Sequence, residues 1–386
     1  MSSELKPKIR FKGFTDDWEQ RKLKEMTLYK NGTGHEDKQS SNGRYELINL
    51  NSVSIDGGLK SSGKFIEDSN ETLKKNDLVM VLSDVGHGDL LGRVALIPTN
   101  NKFVLNQRVA LLRPNGTINP KFLFTCINAG QNYFKMNGAG SSQLNISREV
   151  VEKFEPFVPK KEEQQKISTI FESLDNLITL HQRKCDKLIE LKKSLLEKMF
   201  PQNNSVIPEI RFKGFTDDWE QRKLGDECFE LMAGGDIDKT RSVNNGKYPI
   251  YANALTNEGI VGYYNDSYRV KSPAVTITGR GEIGYAMARN TDFTPVVRLI
   301  SLRSKHNNYF LANAINLLSV VSESTGVPQL TIPQVEKFDI YFPKKINEEI
   351  KLGRLFNEID NLITLYQRKH DKLNKIKQSL LNDMFV

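Results

Sequence analysis

Two stretches of the chain repeat apolar residues at spacings of four and three. Ile167, Phe171, Leu174, Ile178, Leu188, Leu195 and Met199 form one series. Leu352, Phe356, Ile359, Ile363, Tyr366, Leu373, Leu380 and Met384 form the other. A stripe this narrow is the seam of a coiled coil, not the broad apolar face of a helix packed on a core. The spacing predicts long helices over 163–199 and 348–384. No glycine or proline interrupts the first, and only Gly353 interrupts the second. At ~1.5 Å per residue each would be a rod of roughly 50 Å. Polar residues also fall on the seams: His181, Cys185 and Lys192 on the first, Tyr366, His370 and Lys377 on the second. Residues of this kind set helix register; a metal site built from Cys185 and His370 is the alternative.

Elsewhere the apolar residues come in short unbroken runs. Residues 78–82 and 274–278 read as buried strands, and 108–112 and 296–300 as a second matched pair. Turn residues such as Asp56-Gly57-Gly58 and Asn245-Gly246 separate the strand candidates. Short helices are expected over 120–129 and 308–318. The intervening stretches are therefore mixed α/β modules.

The chain is internally duplicated. PKIRFKGFTDDWEQRKL at 7–23 returns as PEIRFKGFTDDWEQRKL at 208–224, with Lys8 and Glu209 the one difference. The helix beginning FESLDNLITL at Phe171 returns as FNEIDNLITL at Phe356. Between box and helix the halves diverge, except near the exit, where Gln143-Leu144-Asn145-Ile146 answers Gln329-Leu330-Thr331-Ile332. The expected boundaries are a first module over 1–160, a spacer helix over 161–200, a second module over 201–345 and a final helix over 346–386.

At 386 residues the chain is too long for one core, which agrees with two modules. A formal net charge of +8 favours a polyanionic partner without identifying it. Cys126, Cys185 and Cys228 form no CxxC pair, so a disulfide framework or zinc site is not expected and a reducing cytoplasm is. The longest apolar run, Leu78-Val79-Met80-Val81-Leu82, is far too short to cross a bilayer, so no membrane partner is expected.

Catalytic signatures are missing from the sequence. There is no GxxxxGK[ST] phosphate loop, and the five histidines show no ligand spacing. Gly279-Arg280-Gly281-Glu282-Ile283-Gly284 spells GxGxxG, but Tyr285-Ala286-Met287-Ala288 continues as a strand where a dinucleotide site needs a helix. The asparagine- or aspartate-proline-proline-aromatic segment of an adenine methyltransferase is absent.

A box ending Trp18-Glu19-Gln20-Arg21-Lys22-Leu23, a divergent module, a QLNI-like exit and a long helix, all then repeated, resembles the Type I restriction–modification specificity subunit. The resemblance covers essentially the whole chain. It implies two α/β target recognition domains, separated by long helices that pair antiparallel as a coiled coil. Each domain would read one half of a split site in double-stranded DNA. The helices would hold the domains apart and dock two methyltransferase subunits, with restriction motor-nuclease subunits completing the complex. The chain itself would be non-catalytic and bind no cofactor; S-adenosylmethionine, ATP and Mg would belong to its partners. The duplication implies an approximate two-fold relation matching that of duplex DNA. A helical scaffold or adaptor that reads no DNA is the competing interpretation.

Base reading needs side-chain donors and acceptors on loops or helix ends. The loop after the buried strand is the first choice in each module: Gly86 and His87 in one, Arg280 in the other. Lys38, Arg44 and Tyr45, with Lys239, Arg241, Lys247 and Tyr248, are second choices, some of them for phosphates. Gln143 and Gln329, which match between modules, are expected to close the fold by a hydrogen bond, a shared DNA contact being the alternative, and Trp18 and Trp219 to anchor packing.

Overall fold

Both seams lie on uninterrupted helices, Lys161–Met199 and Ile346–Met384. The structure, a computed structural model, describes residues 6–85, 88–202, 205–318, 320 and 329–385. The chain forms two compact units, 1–180 with 369–386, and 181–368. The division falls within both long helices, so each module takes with it a part of each.

In unit 1 the core strands form an antiparallel sheet in the order Thr27–Asn31, Val109–Pro114, Leu78–Val81, Val94–Leu96. Leu78–Val81 is buried along its whole length, as its unbroken apolar run requires. A smaller sheet joins Phe65–Ile66, Tyr45–Ile48 and Phe103–Leu105. The helix Pro120–Ala129 starts at Asn119, whose Oδ1 accepts the N–H groups of Lys121 and Phe122, with proline at the first position. It buries Phe122, Leu123 and Ile127 in a core that also takes Trp18, Ile167 and Phe171.

Unit 2 repeats this plan. Its larger sheet runs Cys228–Ala233, Ile300–Ser304, Ala274–Ile277, Ala286–Arg289, and its smaller one Ile260–Tyr264, Tyr248–Tyr251, Thr294–Pro295. The helix Asn308–Asn316 starts at Asn307, whose side chain accepts from Phe310 N. Gly353 lets this N-terminus approach the long helix: a Cβ there would lie 2.0 Å from Asn307 Oδ1. Unit 1 has Ser168 in its place, donating to Asn119 Oδ1 at 3.0 Å.

The duplicated box locks each module to its helix. Arg10 makes two bonds to Glu163 at 2.7 and 2.8 Å, and Arg211 does the same to Glu348. The four side chains are at most 13% exposed, which makes these fork-to-fork pairs far more than surface ion pairs. Trp18 and Trp219, each 2% exposed, are packing anchors.

Within each unit the helical segments run antiparallel. In unit 1 Phe171 meets Phe385 and Asp175 meets Lys377, the latter at 2.6 Å. In unit 2 Lys192 Nζ donates to both oxygens of Asp360, at 2.7 and 2.8 Å, while Phe200 packs on Phe356. The seam lysines therefore each bind the aspartate of a repeated Asp-Asn-Leu-Ile-Thr-Leu segment. His181 packs against Tyr366 with ring centroids 5.6 Å apart. Among the described residues no group of three or more His, Cys, Asp or Glu side chains could hold a metal.

The GxGxxG spelling is a hairpin. Thr278 N donates to Tyr285 O, Gly284 N donates to Thr278 O, and the chain continues as the strand Ala286–Arg289. No helix follows to receive a phosphate. The second matched strand pair begins one residue later than its first half suggests and four later in the second half, at Val109 and Ile300.

Candidate nucleic-acid interface

The strands of each larger sheet have one end at the long helix and the other at a loop cluster. In unit 2 the helix end carries His306, whose Nδ1 lies 2.9 Å from Glu349 and whose Nε2 lies 2.8 Å from Glu227. Glu227 also binds Arg222 and Lys305. Unit 1 has Met26, Ile118 and Gln164 at the matching places, with Gln164 Oε1 accepting Asn119 N at 2.8 Å. At roughly 3.3 Å per residue, five- and six-residue strands carry the chain 17–20 Å from here to the loop end.

That loop end has one backbone skeleton in both modules. In unit 1 Asn106 N donates to Ile48 O (2.9 Å) and Gly32 N to Val109 O (3.0 Å). In unit 2 Val296 N donates to Tyr251 O (2.8 Å) and Gly234 N to Leu299 O (2.7 Å). Glycine is required at 32 and 234, because a Cβ would lie 1.7 Å from Asn106 O and 2.1 Å from Val296 O. Between these anchors a two-residue bend protrudes, Gln107-Arg108 in one module and Val297-Arg298 in the other, all four exposed. Arg108 and Arg298 have φ of +64° and +70°.

The exit segment closes the same end. Leu144–Asn145 pairs with Ser83–Asp84, and Ser83 Oγ donates to Asn145 Oδ1 at 2.6 Å and accepts from Gln143 Nε2. In unit 2 Gln329 bridges Arg280, Leu330 N donates to Gly279 O, and Gln329 Oε1 accepts from Arg298 Nη1 at 3.2 Å. Both glutamines are thus tied into the fold. Asn253 joins the cluster, its Oδ1 accepting Gly279 N (2.8 Å) and its Nδ2 donating to Val297 O (3.0 Å).

The sequence-derived candidates divide between two places. Arg280 is exposed at the loop end, and Lys38 sits on a short helical turn, Glu36–Lys38, linked to it through the Glu36–Gln107 bond. Gly86 and His87 lie outside the described residues; the adjoining Val85 is 73% exposed. Arg44 and Tyr45 stand at the opposite end of the strand Tyr45–Ile48, with the guanidinium 5.2 Å from the Tyr45 ring. In unit 2 the corresponding end holds Lys247 over Tyr248 (4.9 Å), Tyr248 against Tyr268 (5.0 Å) and Arg241 over Tyr264 (5.5 Å). Lys239 is exposed on the loop leading to Arg241. The bond to Asp266 raises the Arg241 pKa, and the bond to Tyr248 raises that of Lys247, so both remain cationic.

Arg108 and Arg298 escaped the sequence reading. Matching the strand pair 108–112 with 296–300 sets Arg108 beside Val296; the bonds above set it beside Arg298 instead. An arginine at the border of an apolar run, as at 108, or inside one, as at 298, gives no sign of a left-handed turn.

Comparison with known proteins agrees with the duplicated architecture. The family model described as "Type I restriction modification DNA specificity domain" matches residues 15–190 and 216–375, so the chain belongs to that family. It is 21% identical to the type I restriction enzyme MjaVIII specificity subunit of Methanocaldococcus jannaschii, covering 83% of this chain and 81% of that protein. A Mycoplasma pneumoniae protein assigned as a type I specificity subunit is 27% identical over 65% of this chain and 68% of its own length. The crystal structure of the S subunit of a Type I restriction–modification system from M. genitalium has the same fold, with a TM-score of 0.77 at 17% identity and 99% of each chain covered. Among the described residues no helix is long and apolar enough to cross a membrane.

Proposed function

We propose that each module turns the loop end of its larger sheet toward duplex DNA and reads one half of a two-part site. The observation that carries this reading is the shared skeleton at that end, built on the same glycines and backbone bonds, with mostly different exposed side chains upon it. One docking pose with different reading groups suits two half-sites of different sequence. The cationic residues at the far end of each small sheet, Arg44 in one module and Arg241 and Lys247 in the other, are suited to phosphates, which position without specifying.

Each long helix has 39 residues, about 58 Å at 1.5 Å per residue, without a break. Such elements can hold an unread gap of constant length, which a flexible linker cannot. The repeated Leu-Ile-Thr-Leu segments leave Leu177 and Leu180 in unit 1, and Leu362 and Leu365 in unit 2, each 42–45% exposed. Identical apolar groups on both units suit two copies of one partner, the modification subunit. The methyl donor, ATP and Mg would then act in partner subunits, and an adenine flipped from the duplex would be methylated there. Exchanging residues 24–160 for another module tests the reading: a recogniser changes one half of the methylated site, whereas an adaptor changes neither.

A further inference from the structure

Six non-glycine residues among those described have positive φ, and three of them are asparagines, the residue type most at ease there. Arg108 and Arg298 are exceptions, and they occupy the same place in two modules whose surrounding sequences differ. The third position of such a turn ordinarily takes glycine or asparagine. In unit 2 the turn is closed by Leu299 N donating to Val296 O at 3.0 Å. The backbone on either side imposes the conformation. Leu82 N donates to Arg108 O at 3.0 Å, and Gly279 lies so close to Arg298 O that a Cβ would be 2.1 Å from it. Arginine gains nothing from this backbone, and neither side chain is buried, so packing does not account for its presence twice.

We infer that Arg108 and Arg298 are specificity-determining residues, each reading one guanine, one per half-site, by a two-bond contact to its major-groove edge. The inference rests on the loop ends facing DNA. A phosphate can be met by any long basic side chain on a relaxed loop, such as the exposed Lys38 or Arg280. A paired contact to O6 and N7 instead needs a guanidinium projected from a fixed point. The anchored turn provides that point. In unit 2 Gln329 also holds Nη1, while Nε and Nη2 have no partner among the described residues.

The test maps methylated sites in cells that express the complete complex with Arg298→Gly, Arg298→Lys or Arg108→Gly. Glycine suits the turn, so thermal unfolding of the glycine variants should match or exceed the parent, which separates reading from folding. The expected result is loss of discrimination at one guanine of one half-site, by roughly 5- to 150-fold, with the other half-site and the gap unchanged. Arg298→Lys should lose the same discrimination although it retains the charge. Arg108→Gly should act on the other half-site. Uniform weakening with an intact site, together with a salt-dependence slope reduced by about one, would assign a phosphate contact and overturn the inference. An unchanged site would overturn it too. The DNA-reading proposal fails separately, if the parent site lacks two halves or does not follow the modules.

Discussion

His306 sits between two carboxylates that unit 1 lacks, and its titration should give unit 2 a pH signature of its own. Burial alone would lower the His306 pKa, but hydrogen bonds to Glu349 and Glu227 outweigh it and leave the value above 6.5. Burial would likewise raise the Glu227 pKa, yet bonds from His306, Lys305 and Arg222 hold it at about 2. The raised histidine stabilises fully below about pH 6.5 and loses its contribution as pH rises through its folded-state value. The depressed glutamate contributes above about pH 4.5 and loses its share as pH falls toward 2. Thermal unfolding should therefore show this unit most favoured between about pH 4.5 and 6.5. His306→Ile alone takes the charged partner from the buried Glu349, while Glu227 keeps Arg222 and Lys305, and should cost about 3 kcal/mol. Glu227→Met, His306→Ile and Glu349→Gln together reproduce the unit 1 arrangement and should recover most of that loss with a flatter pH profile. A single variant as stable as the parent at pH 6 would contradict this account. Nothing in the sequence marked the cluster, because its three members lie on separate elements and only folding brings them together.

At the scale of elements, periodicity carried the most information. The long helices, the strands Leu78–Val81 and Ala274–Ile277, and the helix Pro120–Ala129 all follow from apolar spacing or from a cap with proline at the first turn. The seam lysines were legible as register devices, but their partners Asp175 and Asp360 were not, since each lies on the other helix and only folding brings the pair together. The strand pair near Arg108 was misaligned because a bend fixed by backbone bonds leaves little trace in side-chain pattern. The exposed leucines lead to a prediction at this scale. Leu177→Glu with Leu180→Glu should change folding stability by under about 1 kcal/mol, since both positions are already wet. Sedimentation of the assembled complex should nevertheless show one modification subunit lost, and Leu362→Glu with Leu365→Glu should remove the other. Full assembly with all four substitutions would refute docking on these segments.

For the whole molecule, the duplication sets expectations that neither half sets alone. The box repeats almost unchanged and the helices keep a common pattern, and together they carry the Arg–Glu locks, the tryptophan anchors and the lysine–aspartate pairs. The stretches between them keep the skeleton and change its exposed residues. Geometry and assembly should therefore belong to the shared parts, and sequence reading to the rest. Of the sequence-derived candidates, Lys38 and Arg280 belong at or near the loop end, while Arg44, Tyr45, Lys247 and Tyr248 stand at the other end of the small sheets. Variants of Arg44 or Lys247 should accordingly weaken binding to all DNA sequences alike and lower its salt dependence, which fluorescence anisotropy across salt concentrations can check. The most direct test of the central claim is to map methylated adenines in cells carrying the complex, before and after residues 225–328 are replaced by the corresponding stretch of another module. The account predicts one altered half-site, with the other half-site and the gap between them retained. Methylation of the original site by the exchanged protein would contradict it.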